Sequence, residues 1–153
     1  LIIRWPDKVT PGTTSSIPVT GVDFYPTFVN IANGRPASDL DGKDLFSLLQ
    51  KNEYGRDLYW HFPAYLQSYK KSGKNWRATP YSSIRSGDWK LIYYYEDKSV
   101  ELFNLKNDLS EEHDLSQTHS DKKKELYTKL MDWLRQTRAP IPTQPNPDYV
   151  AEK

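Results

Sequence analysis

The 153-residue chain contains no cysteine. That excludes disulfides, thiolate catalysis and cysteine-ligated zinc. No apolar run reaches the roughly 18 residues that a membrane-spanning helix requires. No signal-peptide pattern opens the chain. No Gly-rich phosphate loop is present, and no serine sits at an obvious strand–turn–helix elbow. Histidine is scarce, at three residues. Between positions 58 and 87 there is not one acidic residue.

What is present is ordinary in bulk and uneven in detail. Hydrophobic residues make up 37% and charged residues 27%, the balance of a globular domain. The net charge of +1 excludes polyanion binding by bulk electrostatics. Any such role must come from a local patch. The acid-free stretch supplies one, because it holds Lys70, Lys71, Lys74, Arg77 and Arg85. Tyr65, Tyr69 and Trp76 are interleaved with these charges. Aromatic faces suit sugar rings, and Lys and Arg suit sulfate, phosphate or carboxylate. A solvated loop is the plain alternative.

The chain begins inside an apolar run, LIIRW, which predicts a short buried strand and a piece of a longer protein. GVDFYPTFVNIANG (21–34) predicts a helix, with Asp23 as N-cap, Pro26 in the first turn and Gly34 as C′ residue. KDLFSLLQ (43–50) predicts a short amphipathic helix. DLDGKD (39–44) reads as a turn leading into its cap, since it lacks the glutamate and spacing of an EF-hand. RDLYWHF (56–62) predicts a strand ended by Pro63, and residues 64–80 an irregular basic loop.

From Tyr81 the alternation is of period two. YSSIRS, the Gly87-Asp88 turn and WKLIYYY predict a hairpin, with Trp89, Leu91, Tyr93 and Tyr95 on one face. VELFNL (100–105) predicts another strand. Ser120 is placed as the cap of a helix over 121–139, striped by Leu126, Leu130, Trp133, Leu134 and Thr137. That stripe can cover one face of the sheet. The tail over 140–153 has four prolines and reads as extended. EEHD (111–114) could recruit a divalent cation, but carboxylates beside a histidine in a loop are usually just solvated.

The motifs then resemble a family. LIIRWPDKV is similar to a strand leading into a W-P-G-like turn. Val22, Asp23, Pro26 and Thr27 match a V-D-x-x-P-T core, and Asp41, Gly42, Leu45, Leu48 and Leu49 match D-G-x-S-L-x-P-L-L. RDLYWHFPAY resembles a W-H-x-P-x-Y form. SSIRSGDWKLIYYYEDKSVELFNLKNDLSEEHDL resembles A-x-R-x-G-x-W-K-L-I…E-L-Y-D-L-x-x-D-P-x-E-x-x-N-L. In this order, over about residues 1–139, they resemble the C-terminal third of type I sulfatases, the formylglycine-dependent arylsulfatase-like hydrolases.

The resemblance implies an α+β fold. A small antiparallel sheet of about three or four strands is covered by the long C-terminal helix. It is preceded by a βα segment (1–50) belonging to an alkaline-phosphatase-like α/β domain; the sheet subdomain spans 51–139. It also implies a parent enzyme that hydrolyses sulfate esters, in the periplasm or secreted. There a hydrated formylglycine, made from a C/S-x-P-x-R motif, attacks sulfur while calcium polarises the sulfate. This chain has no such motif, because no arginine follows Ser15-Ser16-Ile17-Pro18 at the required place. No catalytic residue, metal ligand or cofactor is therefore assigned to it, and alone it is expected to be inactive.

The expected partners are an N-terminal catalytic domain of the same protein and a sulfated carbohydrate or aryl sulfate, with no nucleic acid. His61, Tyr65, Lys74, Trp76 and Arg77 are the candidate substrate-binding residues. His61 closes a strand, where binding residues gather, yet a structural histidine fits there too. Arg85 is expected to pair with a carboxylate on a neighbouring strand, and Lys90 to face solvent or another domain. A non-catalytic module binding sulfated or acidic glycans is the alternative function.

Overall fold

The structure, a computed structural model, describes residues 1–51, 56–67, 76–144, 146–147 and 149, without the side chains of residues 51, 67 and 76. The chain divides into two compact units, Leu1–Arg56 and Asp57–Lys153.

In the first unit, residues 1–5 are irregular rather than a strand, and Leu1 and Ile2 are exposed. A strand needs a neighbour to take its N–H and C=O groups. Among the described residues no segment pairs with this one. A 3₁₀ turn, Gly21–Asp23, leads into α1 (Phe24–Ile31). Asp23 makes no side-chain cap bond to α1. Its carboxylate instead accepts the Thr20 N–H at 2.8 Å, as part of the turn before the helix. Gly34 is likewise not the left-handed residue. Asn33 takes that place with φ +56°, and the Gly34 N–H reaches the Val29 carbonyl at 2.9 Å, the six-to-one bond of a Schellman end. Gly34 is needed for space, because a Cβ there would lie 2.9 Å from Val29 Cγ1.

The turn before α2 (Leu45–Lys51) ends in a cap. Asp44 accepts the N–H groups of Phe46 and Ser47 at 3.3 and 3.2 Å. Ile17, Leu45 and Leu48 form the small core of this unit.

The second unit is α+β. The strands β1 (Asp57–Phe62), β4 (Tyr81–Ser86), β5 (Trp89–Tyr94) and β6 (Val100–Asn104) form an antiparallel sheet in the order β1-β4-β5-β6. Ser86 pairs with Trp89 across the two-residue Gly87-Asp88 turn, where Gly87 has φ +59°. The basic stretch is not wholly irregular. β2 (Leu66–Gln67) and β3 (Trp76–Ala78) pair as a separate two-stranded ladder. A ladder so short carries too little alternation to be read from sequence.

α3 (Ser120–Gln136) covers one face of the four-stranded sheet. Its N-cap is His119, one residue before the expected Ser120, and it makes no side-chain cap bond. Beyond the Thr137 C-cap, Arg138 takes φ +51°, and the Ala139 N–H reaches the Leu134 carbonyl at 2.9 Å. Leu126, Leu130 and Leu134 bury against Ile84, Leu91 and Leu102. Each such side chain contributes about 1.5–3 kcal/mol by leaving water. Thr137 lies outside this stripe and is exposed.

Candidate functional site

The first unit is organised around a buried carboxylate. Asp23 is fully buried and paired with the Arg56 guanidinium, whose Nη1 donates at 2.8 Å and whose Nη2 makes a second, shorter bond. Asp23 also accepts the N–H of Lys43 at 3.0 Å. Burial pushes this carboxyl up. The Arg56 fork and the Lys43 and Thr20 N–H groups outweigh that and hold it below the usual aspartate value. Thr27 Oγ1 donates to the Asp23 carbonyl at 2.6 Å and accepts the Leu45 N–H at 2.9 Å. The V-D-x-x-P-T pattern is thus a structural knot joining α1, α2 and Arg56. Gly42 packs so tightly here that a Cβ would meet the Val22 carbonyl oxygen at 2.0 Å.

In the second unit the rings of β1 part to opposite faces. Tyr59 faces α3 and stacks on Trp133, with centroids 4.8 Å apart. Burial first, then Asp57, pushes the Tyr59 phenol up to about 12. Lys129 of α3 reaches Asp57 at 3.2 Å. His61 lies on this same side of the strand as Asp57 and Tyr59. Its Nε2 lies 3.0 Å from the Pro140 carbonyl, which can only accept, so Nε2 donates. In the neutral ring Nδ1 then accepts from Ser82 Oγ at 2.7 Å, and Ser82 Oγ is 2.7 Å from the Tyr95 hydroxyl. Both ring nitrogens are engaged within the fold. His61 ties the edge strand to the segment that follows α3.

Trp60 and Arg77 are elsewhere. They line an open cleft of about 640 Å³ on the sheet face opposite α3. Arg85, Lys90, Tyr94 and Glu111 share that cleft. Lys90 Nζ donates to both Glu111 oxygens at 2.7 and 2.6 Å. Arg85 does not pair with a carboxylate among the described residues; its Nε donates to the Gly87 carbonyl at 3.2 Å. Ser86 and the turn fold back within its reach, and a strand-to-strand pairing pattern does not reveal that. The Tyr94 hydroxyl donates to Glu101 Oε2 at 2.9 Å. Burial, followed by this bond, raises the Tyr94 phenol strongly and keeps it a donor.

The five candidate residues are therefore not gathered at one place. His61 faces the helix side and Arg77 the cleft. Tyr65 lies after β1, its ring 6.4 Å from that of Tyr149. Trp76 opens β3. Lys74, with Tyr69, Lys70 and Lys71, lies outside the described residues. The cleft itself was not anticipated. Its signal was the second set of alternating residues on β1, β4 and β5, the set left over once the core face is assigned.

The acidic loop is structural. Asp108 accepts the Glu112 and His113 N–H groups at 3.1 and 2.9 Å. Asp114 accepts the Leu102 N–H at 2.9 Å and both the N–H and the hydroxyl of Ser116 at 2.8 Å. Among the described residues no group of three or more His, Cys, Asp or Glu could hold a metal ion. They do not fit a calcium ion. No helix among the described residues is long and apolar enough to cross a membrane.

A family model described as N-sulphoglucosamine sulphohydrolase, C-terminal, matches residues 1–140. A sulfatase of Formosa agariphila is 36% identical over 92% of this chain and 27% of its own length. An N-acetylglucosamine-6-O-sulfatase of Bacteroides thetaiotaomicron is 33% identical over 89% of this chain and 25% of its own. A protein solved in complex with its substrate D-glucosamine-2-N,6-O-disulfate superposes with a TM-score of 0.70 at 28% identity, over 90% of this chain and 28% of that one. The chain thus spans about a quarter of the length of these relatives. Matched from end to end of its helix-backed sheet and its Asp23 knot, the chain belongs to the C-terminal family of N-sulphoglucosamine sulphohydrolase and related sulfatases.

Proposed function

We propose that this chain is the C-terminal portion of a sulfatase that hydrolyses sulfate esters of a carbohydrate. The nucleophile, as formylglycine, and the calcium ligands then belong to a catalytic portion of the same polypeptide. The supporting observation is the family match over residues 1–140, together with sulfatase relatives of which this chain spans only about a quarter. The surface of the first unit agrees with such a partner. Phe24 and Phe28 stack at 5.9 Å on α1. Phe28 is 62% exposed and Ile2 95% exposed, which is costly in water and marks a surface meant to be covered. In this reading residues 1–50 complete the α/β catalytic domain, residues 51–139 are the sheet subdomain, and residues 140–153 are an extended tail.

The chain contributes scaffold and part of the substrate subsite. Tyr65, Trp76 and Arg77, on and beside the β2–β3 ladder, are the proposed substrate-facing residues, with Lys74, which lies outside the described residues. His61 faces the α3 side with both nitrogens already used, so its supported role is to hold the end of β1 in place. The relatives' names favour a hydrolase over a purely glycan-binding module. The test is sulfate release by the full-length, formylglycine-matured polypeptide with calcium. The panel comprises N-acetylglucosamine-6-sulfate, glucosamine-2-N,6-O-disulfate, ulvan oligosaccharides and 4-methylumbelliferyl sulfate. Turnover of at least one sugar sulfate is expected. Turnover of none would overturn the proposal.

A further inference from the structure

We infer that the cleft on the face of the sheet opposite α3 is an accessory site for a sulfated sugar unit. It shares Arg77 with the residues proposed to face the substrate and adds Trp60, Arg85 and Lys90 on the four-stranded sheet. The inference rests on the substrate class proposed above and adds a second subsite to it.

Charge and shape carry the argument. Three of the cleft's charged lining residues, Arg77, Arg85 and Lys90, are cations, and one, Glu111, is an anion. Glu111 is committed to Lys90 through both of its oxygens. Arg85 spends its Nε on the Gly87 carbonyl, and among the described residues no carboxylate takes the outer nitrogens of its guanidinium. An arginine fork in a recess, with an aromatic ring beside it, is the pairing a sulfated pyranose requires. The fork donates to sulfate oxygens and the ring takes the C–H face of the sugar. Trp60 supplies the ring at 40% exposure. The volume of about 640 Å³ is within the range of small-ligand sites. The Tyr94 hydroxyl, fixed on Glu101 and raised well above the ordinary phenol value, adds a rigid wall that does not ionise near neutrality.

The test uses the full-length polypeptide expressed without formylglycine maturation, so that binding is read without turnover. A heparin-derived hexasaccharide and its desulfated counterpart are titrated calorimetrically at low salt. Trp60→Ala and Arg85→Gln are each expected to raise the Kd for the sulfated hexasaccharide roughly tenfold, the size of one lost charge-assisted contact. Trp60→Phe and Arg85→Lys are expected to recover part of that loss. The desulfated sugar is expected not to bind. Melting temperatures identify any variant that fails to fold.

A second measurement needs no variant. Oxidative labelling of Trp60 in the wild-type protein is expected to slow with the sulfated hexasaccharide alone. Equal Kd values for wild type and both variants would overturn the inference. So would a Trp60 already shielded in the unliganded full-length protein, because the catalytic portion is then the occupant of this face. Absence of sulfatase activity in the matured enzyme would sink the proposed function, while a Trp60-dependent loss of affinity would still be readable.

Discussion

Replacing Asp23 with alanine should unfold the first unit locally and leave the helix-backed sheet intact. Asp23 is fully buried and accepts from Thr20, Lys43 and both outer nitrogens of Arg56. Its removal leaves a guanidinium whose side chain is only 7% exposed without its counter-charge. Breaking a buried ion pair by deleting one partner costs about 3–5 kcal/mol. The two orphaned N–H groups add to this, at about 1–3 kcal/mol each where water cannot reach them, though the terms are not additive.

Even the lower figure of about 3 kcal/mol is a large share of a domain's 5–15 kcal/mol. It corresponds to roughly a hundredfold in an opening equilibrium. Amide hydrogen exchange of the full-length protein reads this directly. The amides of Thr27, Leu45 and Leu48 should exchange roughly 100-fold faster, while those of Ile84, Leu91 and Leu102 keep their protection. The double variant Asp23→Ala/Arg56→Leu should recover part of the loss, since no buried charge is left unpaired. Unchanged protection at Thr27 and Leu45, or a double variant as damaged as the sum of the singles, would refute the reasoning.

Leu130→Ala removes a fully buried side chain from the α3–sheet core and should cost about 2.7–5 kcal/mol, read as a lowered denaturation midpoint of the second unit. Gly42→Ala should be far more damaging than Gly21→Ala in thermal melts. Its Cβ would meet the Val22 carbonyl at 2.0 Å, whereas nothing lies within 4 Å of a Cβ at Gly21. Asp23 and Asp114 are held below the ordinary aspartate value of about 4. The stability they lend is therefore complete above about pH 4 and lost as the pH falls through their lowered values, so acid titration should show flat stability from neutrality to about pH 5 and a decline below about pH 4. His61→Ala should lower the melting temperature more than His61→Gln, because two hydrogen bonds, to Ser82 and Pro140, are lost. A large change in turnover with no change in melting would instead make His61 a substrate contact.

Period and punctuation made most of the second unit legible before any coordinates. β1, β4, β5 and β6 follow alternation bounded by Pro63 and Gly87, and α3 follows its Leu126–Leu130–Leu134 stripe. These signals are local, and local patterns survive in any context that buries one face. The misread elements were those whose state is set by distant groups. LIIRW has the composition of a strand but no neighbour among the described residues. Asn33, not Gly34, takes the left-handed position, because the Schellman bond to Val29 needs its positive φ one residue earlier. Arg85 finds a turn carbonyl rather than a carboxylate.

The candidate site was less legible still. The partners of His61 lie 21 and 79 residues away, and no spacing rule reaches that far. The motif residues Asp23 and Thr27 were readable as a pattern, but their role as a buried knot appears only when Arg56 and Lys43 are seen against them.

Sulfate release measured side by side for the full-length matured polypeptide and for residues 1–153 alone, on the same sugar sulfates with calcium, tests the central claim most directly. The account predicts turnover by the full-length protein and none by residues 1–153. Turnover by residues 1–153 alone would contradict it.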